Sequence, residues 1–410
     1  MRILIAHNRY QLGGGEETVV ANERRLLEEH GHEVEYLGVD NESIRGVMGK
    51  MIAAGQAFYS IDSAHRITGL IDRFHPDVVH VHNYLATLSP SVFFAAKRRK
   101  IPVVFTLHNY RLLCANAQLF RDGRPCEECI DQRSFLPGAY HACYRNSRSG
   151  SAILGGSMAL HAALGTWQQK VDRYIALTAF VAEKMAGLRV PVDRIRIKPN
   201  FTFDSGQGSG GGGFALYAGR MAPEKGIQTL IEADAKGLLP MPVHLVGDGP
   251  LLQMVREAAL REGSRLKPLG LLPHDEVQGL MRRATVLVVP SIWYEPFGMV
   301  CVEAFAAGLP ILCSRIGGLP EIVEDGVSGR LFPPGDADGL ASALRLFIEG
   351  SSELIDMRLA ARFRYETLYS EERNYGLLMG IYQELTPHLK DECPVGPVSA
   401  NATPKIQMNL

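Results

Sequence analysis

Short apolar runs ending in polar or glycine-rich residues recur along the chain and alternate with stretches of helical period. Residues 2–8 (RILIAHN), 33–40 (EVEYLGVD), 76–83 (PDVVHVHN), 102–109 (PVVFTLHN), 173–178 (RYIALT) and 194–200 (RIRIKPN) read as strands. Between the first two, Glu17 to His30 reads as a helix. Its apolar positions include Val20, Leu26 and Leu27, and Gly31 is placed to end it in the left-handed conformation. Strands alternating with helices predict a parallel sheet. The pattern then breaks at 204–213 (DSGQGSGGGG), a composition that reads as a flexible link. It restarts with strand-like runs at 214–220, 242–249, 285–291 and 310–318.

The fold class is therefore α/β, with two doubly wound Rossmann-like domains. The first is 1–203, with a cysteine-rich insert at 110–145, and the second is 214–370. A helix over 371–390 follows the second sheet, and 391–410, rich in Pro, Ser, Asn and Gly, reads as disordered. In such folds ligands bind at the carboxyl ends of the strands, here in a cleft between two facing sheets.

Composition adds exclusions. With 43 basic and 44 acidic residues the formal charge is −1, so no overall field draws nucleic acid or an anionic surface. MRILIAHN has too short an apolar run for a signal peptide. Gly150 to Trp167 is Ala- and Gly-rich and interrupted by His161, so it reads as a buried helix rather than a span. The expected location is cytoplasmic. The remaining membrane candidate is SVFFAAKRRK (91–100), where Phe93 and Phe94 precede four cations, as a peripheral contact with the inner membrane would use. Its plain alternative is an ordinary helix burying its phenylalanines.

Chemistry concentrates in the second half. Arg220 and Lys225, in AGRMAPEKG (218–226), lie in a strand-to-helix loop, where two cations suit a diphosphate. GDGP (247–250) is a tight turn at another strand end. In EPFGMVCVEAFAAGLP (295–310), Glu295 lies in a loop, Gly298 opens a helix, and Glu303 sits among Cys301, Val302 and Ala304–Ala307. A carboxylate on so apolar a helix is expected to be buried and partnered. Surface charge is the alternative reading for all four side chains. In the first half, GGGEE (13–17) can present amides to an anion or make a simple turn, and His108 ends a strand. His80 and His82 end another and read as structural, with acceptor contact as the alternative.

Taken together, E-x7-E (295–303), GR-x4-KG (219–226) and GG-x-PE (317–321) resemble the retaining glycosyltransferases of family 4, over about residues 1–387. The resemblance implies a GT-B fold and a nucleoside-diphosphate-sugar donor, UDP- or GDP-linked. The acceptor would be a glycan or lipid-linked, in cell-surface polysaccharide or glycoconjugate synthesis. It implies that Arg220 and Lys225 hold the diphosphate, Glu295 the sugar hydroxyls and Glu303 the ribose. Backbone amides of Phe297, Gly298, Met299 and Val300 would contact sugar and phosphate. Gly270 and Leu271 would lie by the base, Gly13 and Gly14 would approach the phosphates, and His108 the sugar. No catalytic metal is implied, in keeping with the lack of a D-x-D motif. An epimerase of the same fold and a non-catalytic nucleotide-sugar binder are the competing readings.

Cys114, Cys126, Cys129 and Cys143 stand outside that site, as C-x11-C-x2-C-x13-C in a polar insert with little apparent core. Four thiolates at this spacing can make a closed, structural zinc site, with uncoordinated thiols or disulfides as the alternatives.

Overall fold

A computed structural model describes residues 1–9, 14–40, 54–85, 87–186, 189–347 and 351–389. Gly13 and the tail from 391 fall outside these residues. The chain divides into two units. Unit 1 comprises residues 1–119, 127–199 and those from 372 on, and unit 2 residues 120–126 and 200–371.

Unit 1 is built on strands β1 (Arg2–Arg9), β2 (Glu33–Asp40), β3 (Val78–Asn83) and β4 (Val103–Leu107). After a small hairpin of β5 (Phe120–Arg121) and β6 (Arg124–Pro125), β7 (Arg173–Ala176) and β8 (Ile195–Ile197) complete it. The sheet is parallel, in the order β2-β1-β3-β4-β7-β8. Unit 2 carries β9 (Ala215–Ala218), β10 (Val243–Val246), β11 (Leu266–Gly270), β12 (Val286–Val289), β13 (Ile311–Ser314) and β14 (Gly329–Phe332). Its parallel order is β11-β10-β9-β12-β13-β14. Central strands such as β3, β4, β12 and β13 are buried along their length, which is why they read as continuous apolar runs. β11 and β14 were not anticipated. Both are edge strands, and β11 contains Pro268 and alternates exposed positions, so neither shows such a run.

Two expectations change. The glycine tract at 204–213 is held on unit 2 rather than acting as a loose link. Gly208, Gly210 and Gly212 donate to the carbonyls of Ala307, Arg282 and Arg283 at 2.9, 3.1 and 2.9 Å. Arg362 forks onto Asp204 at 2.8 and 2.6 Å. The last helix, Glu371–Leu385, belongs with the first sheet: its Leu378, Met379, Ile381 and Tyr382 join Ile3, Ile5, Val78, Val104 and Ile175 in one core.

The 91–100 segment takes its plain reading. Phe93 is fully buried, Lys97 Nζ donates to both oxygens of Asp172 at 2.8 Å, and Arg99 forks onto Asp72 at 2.6 and 2.7 Å. One phenylalanine in the core and two of the four cations held by carboxylates favour that reading, while Phe94 is half-buried and Arg98 and Lys100 are exposed. No helix among the described residues is long and apolar enough to cross a membrane.

Candidate functional site

In a parallel sheet all carboxyl ends lie on one edge, and unit 2 uses that edge fully. Arg220 follows β9, GDGP follows β10, Gly270 ends β11, Glu295 follows β12 and Gly317 follows β13. The loops are stitched to one another. Met221 donates to Asp248 O at 2.8 Å and Leu251 to Met221 O at 2.9 Å, so the GDGP turn braces the arginine loop. Tyr217 Oη donates to Arg220 O at 2.7 Å. Ile292 donates to Glu224 O at 3.0 Å, tying the lysine loop to the one that carries Glu295. Gly226 makes that approach: its φ is 67°, and a side-chain carbon there would run into the Pro290 carbonyl.

The result is a pairing that sequence reasoning missed. Lys225 Nζ donates to Glu295 Oε1 and Oε2 at 3.0 and 2.8 Å. Glu295 Oε2 also accepts from Ser291 Oγ at 3.1 Å and Trp293 Nε1 at 3.0 Å, and the residue is 6% exposed. Lys225 Nζ stands 5.2 Å from the centre of the Trp293 ring. The two groups assigned to different parts of a substrate thus hold each other without one, as a buried carboxylate requires. The GG of GG-x-PE completes the support. Gly317 has φ 60°, a Cβ there would lie 2.5 Å from Glu295 N, and Gly318 donates to Glu295 O at 2.8 Å.

Arg220 is exposed and makes no ion pair among the described residues. Gly298 caps the helix Met299–Ala306, whose first turn has no side-chain cap, so its leading amides are open to an anion. Phe297 is buried, and Met299 and Val300 are partly so. Glu303 departs from expectation. It is half-buried, and its carboxyl has no hydrogen bond or ion pair among the described residues. Burial alone pushes its pKa up to about 7. Its helix is otherwise apolar, with Cys301, Val302, Ala304, Phe305 and Ala306 buried. Gly270 is left-handed at φ 73°, and Leu271 beside it is 78% exposed.

In unit 1, β1, β3 and β4 are neighbours, and His7, His82 and His108 lie at or just past their carboxyl ends. His80 and His82 share one face of β3. His80 is saturated, with Nδ1 2.8 Å from Tyr382 Oη and Nε2 2.7 Å from Thr106 Oγ1. His82 Nδ1 is 2.9 Å from His108 Nε2, and His82 Nε2 is 3.3 Å from Glu23 Oε2. Glu23 Oε1 accepts from the fully buried Lys198 Nζ at 2.7 Å, and that ammonium also donates to Asn374 Oδ1 at 3.0 Å. Burial would raise the Glu23 pKa, but Lys198 together with His82 and His108 outweighs it and holds the carboxyl below its ordinary value. Burial also holds His108 down to about 3 and His82 well below its usual range, so both rings are neutral near pH 7. Glu23 could have been found in the sequence: with Val20 and Leu27 it falls at i, i+3 and i+7, on the buried face of its helix. The glycine loop offers less than expected, because Gly14 N already donates to Glu17 Oε2 at 2.8 Å in a capping interaction.

Glu23, His80 and His82 are the one trio of His, Cys, Asp or Glu donors among the described residues whose ligand atoms lie within 4.8 Å of one another. The Lys198 ammonium already supplies the cation there. The four cysteines of the insert form no such trio. Cys114 is buried and donates to Asn116 Oδ1 at 2.9 Å, and burial raises its pKa, so it sits as a thiol. The segment also has an apolar anchor of its own in buried Tyr110, Leu112, Ala115, Leu119 and Phe135. Order in this segment therefore does not require a metal.

Two family profiles match this chain: Glycosyltransferase Family 4 over residues 13–202, and Glycosyl transferases group 1 over residues 202–365. Glycogen synthase of Mycobacterium tuberculosis is 27% identical over 332 residues, which is 78% of this chain and 71% of that protein. Among solved structures, sucrose-phosphate synthase from Thermosynechococcus elongatus aligns with a TM-score of 0.69 at 18% identity, over 94% of this chain and 99% of that one. The Anabaena HepE protein, solved in complex with UDP, aligns at 0.64 and 18% identity, over 95% and 100%. With two parallel Rossmann-like sheets and the three motifs gathered on one sheet edge, the chain belongs to the family 4 glycosyltransferases and is a transferase of the GT-B fold.

Proposed function

We propose that this enzyme moves a sugar from a nucleoside-diphosphate sugar to a glycan or lipid-linked acceptor, with retention of anomeric configuration. The observation that carries this is the Lys225–Glu295 pair beside Arg220 and the open helix start at Gly298. These offer cationic and N–H donors for a diphosphate, next to a carboxylate that can accept from sugar hydroxyls. As the glycosidic bond to phosphate breaks, negative charge grows on the leaving diphosphate. Arg220, Lys225 and the leading amides stabilise it, the kind of interaction that counts most where charge develops. Lys225 is shared between Glu295 and the incoming phosphate, so Glu295 holds the ammonium in place before the donor arrives. Glu303 takes the ribose. The acceptor oxygen attacks from the face the diphosphate leaves, and the diphosphate takes the proton, so no protein nucleophile is assigned. The UDP held by the Anabaena neighbour supports a uridine donor first.

A thermal-shift screen of UDP-, GDP- and ADP-sugars tests the reading, because ligands that bind the folded state raise Tm with occupancy. One nucleotide class should stabilise the protein, and Arg220→Ala should abolish the shift. No stabilisation by any nucleotide sugar or free nucleoside diphosphate would overturn it.

A further inference from the structure

Trp293 touches both members of the Lys225–Glu295 pair. It lies in the loop from β12 to the helix Met299–Ala306 and is 9% exposed. Glu295 N donates to Trp293 O at 2.8 Å, a three-residue turn that brings the two side chains together. Trp293 Nε1 donates to Glu295 Oε2 at 3.0 Å, and the indole ring lies 5.2 Å from Lys225 Nζ, within the range of a cation–π contact. The two oxygens of Glu295 are unequally engaged. Oε2 accepts from Trp293, from the buried Ser291 Oγ at 3.1 Å and from Lys225 Nζ at 2.8 Å. Oε1 accepts only from Lys225 Nζ among the described residues, at 3.0 Å. A carboxylate oxygen has two lone pairs, so Oε2 is filled and Oε1 keeps one free. An ammonium has three N–H bonds, and Lys225 gives at most two of them to Glu295.

We propose that Trp293 is a positioning residue that commits Glu295 Oε2, so that the carboxylate meets one hydroxyl of the donor sugar through Oε1 alone and the enzyme selects for the position of that hydroxyl. The ring face holds Lys225 beside Glu295, with its remaining N–H left for the diphosphate. Ser291 assists by filling the same oxygen. The hydroxyl contact rests on the functional reading above, whereas the unequal engagement of the two oxygens does not.

Two substitutions separate the N–H from the bulk of the ring. Trp293→Phe keeps an aromatic face for Lys225 and has no donor. Trp293→His loses the six-membered ring but keeps a donor. Its Nε2 falls where the indole Nε1 stood, because both five-membered rings are joined through Cγ with a nitrogen two bonds away. Each variant removes bulk, so a residue that merely filled space would lose as much in either.

With the donor found in the screen, Trp293→Phe should lower kcat about tenfold, the order of one hydrogen bond to a charged group. Its preference for that donor over nucleotide sugars epimeric at a single hydroxyl should shrink at one hydroxyl only. Free nucleoside diphosphate should bind it by calorimetry as it binds the wild type, and Trp293→His should keep most of the rate and the preference. Should Trp293→Phe fail to fold, Ser291→Ala, which removes another donor to Oε2, should show the same loss of preference. The bond itself is read without any substrate. The chain has two tryptophans, so the indole 15N–1H spectrum has two signals, and the Trp293 signal, assigned from Trp293→His, should move upfield in Glu295→Ala. A signal unmoved in Glu295→Ala overturns the proposal, as do equal losses in Trp293→Phe and Trp293→His. Undiminished preference in Trp293→Phe with the expected spectrum overturns the hydroxyl selection and leaves the engagement of Oε2 standing. Absence of transfer from every nucleotide sugar in the wild type, beside the expected spectrum, marks failure of the functional reading instead.

Discussion

Glu303 offers the most quantitative test of the site, because it is half-buried with no partner for its carboxyl among the described residues, and desolvation pushes its pKa from 4.5 to about 7. A raised carboxyl pKa means the folded state binds the proton more tightly than the unfolded chain does. The stabilisation is complete below pH 4.5 and is lost as pH rises through 7. A shift of about 2.5 units corresponds to about 3 kcal/mol over the full range. Between pH 5 and pH 8.5, linkage leaves about 2–3 kcal/mol of that change. Glu303→Gln has nearly the same shape and no charge, so it should gain on the wild type by that amount as pH rises, while other titrations cancel in the difference. Urea unfolding of both proteins at the two pH values, or the Tm difference between them, measures it. For a unit of about this size, each kcal/mol is worth roughly 2–4 °C. The ribose contact adds a second reading. Free nucleoside diphosphate should bind the wild type more tightly as pH rises through 7, since the ionised carboxylate accepts from ribose hydroxyls, and should bind Glu303→Gln weakly at every pH. A stability difference that is the same at pH 5 and pH 8.5 would refute the claim that burial holds this carboxyl protonated.

The remaining predictions concern the supports of the site. Arg220→Ala and Lys225→Ala should each cost about 2–4 kcal/mol in transition-state stabilisation, read as kcat/KM. Glu295→Gln should reduce kcat more than nucleotide affinity by calorimetry, and because Lys225 and Glu295 are bonded, the losses in the double mutant should fall short of the sum. Gly317→Ala forces a side chain into the Glu295 backbone at φ 60°, so it should lower Tm and activity together, whereas Gly211→Ala, with open space around it, should leave activity unchanged. Elemental analysis of purified, folded protein should find well under one zinc per chain, because the four insert cysteines form no donor cluster and Cys114 is engaged as a thiol. Neutralising Lys97 and Arg99 should lower stability through the loss of Asp172 and Asp72 contacts, and low-salt flotation should show no liposome binding that depends on them.

Much of this was legible along the chain. The strand-like runs at 2–8 and 76–83 match β1 and β3, because a strand buried on both faces has no polar alternation to obscure it, and the run at 33–40 matches the edge strand β2. Arg220, Lys225, Glu295 and Glu303 could be placed in strand-end loops and a helix because turn glycines and apolar period are local signals. What stayed hidden is everything that joins distant segments. The Lys225–Glu295 bond spans 70 positions and the Lys198–Glu23 bond 175. The glycine tract at 204–213 looked loose because composition does not say whose carbonyls its amides will meet, here those of Arg282, Arg283 and Ala307.

The sequence by itself determined the two parallel sheets, the strand ends where chemistry gathers and the family to which the chain belongs, because period, turn chemistry and motif spacing act over a few residues. Only the tertiary structure decided which charges meet. The adjacency of β9 with β12 turns a diphosphate cation and a sugar-binding carboxylate into a preassembled pair. The adjacency of β1, β3 and β4, closed by the last helix, gathers scattered histidines beside a buried lysine–glutamate pair. Which buried polar atoms face each other is a property of the folded arrangement that no local pattern carries.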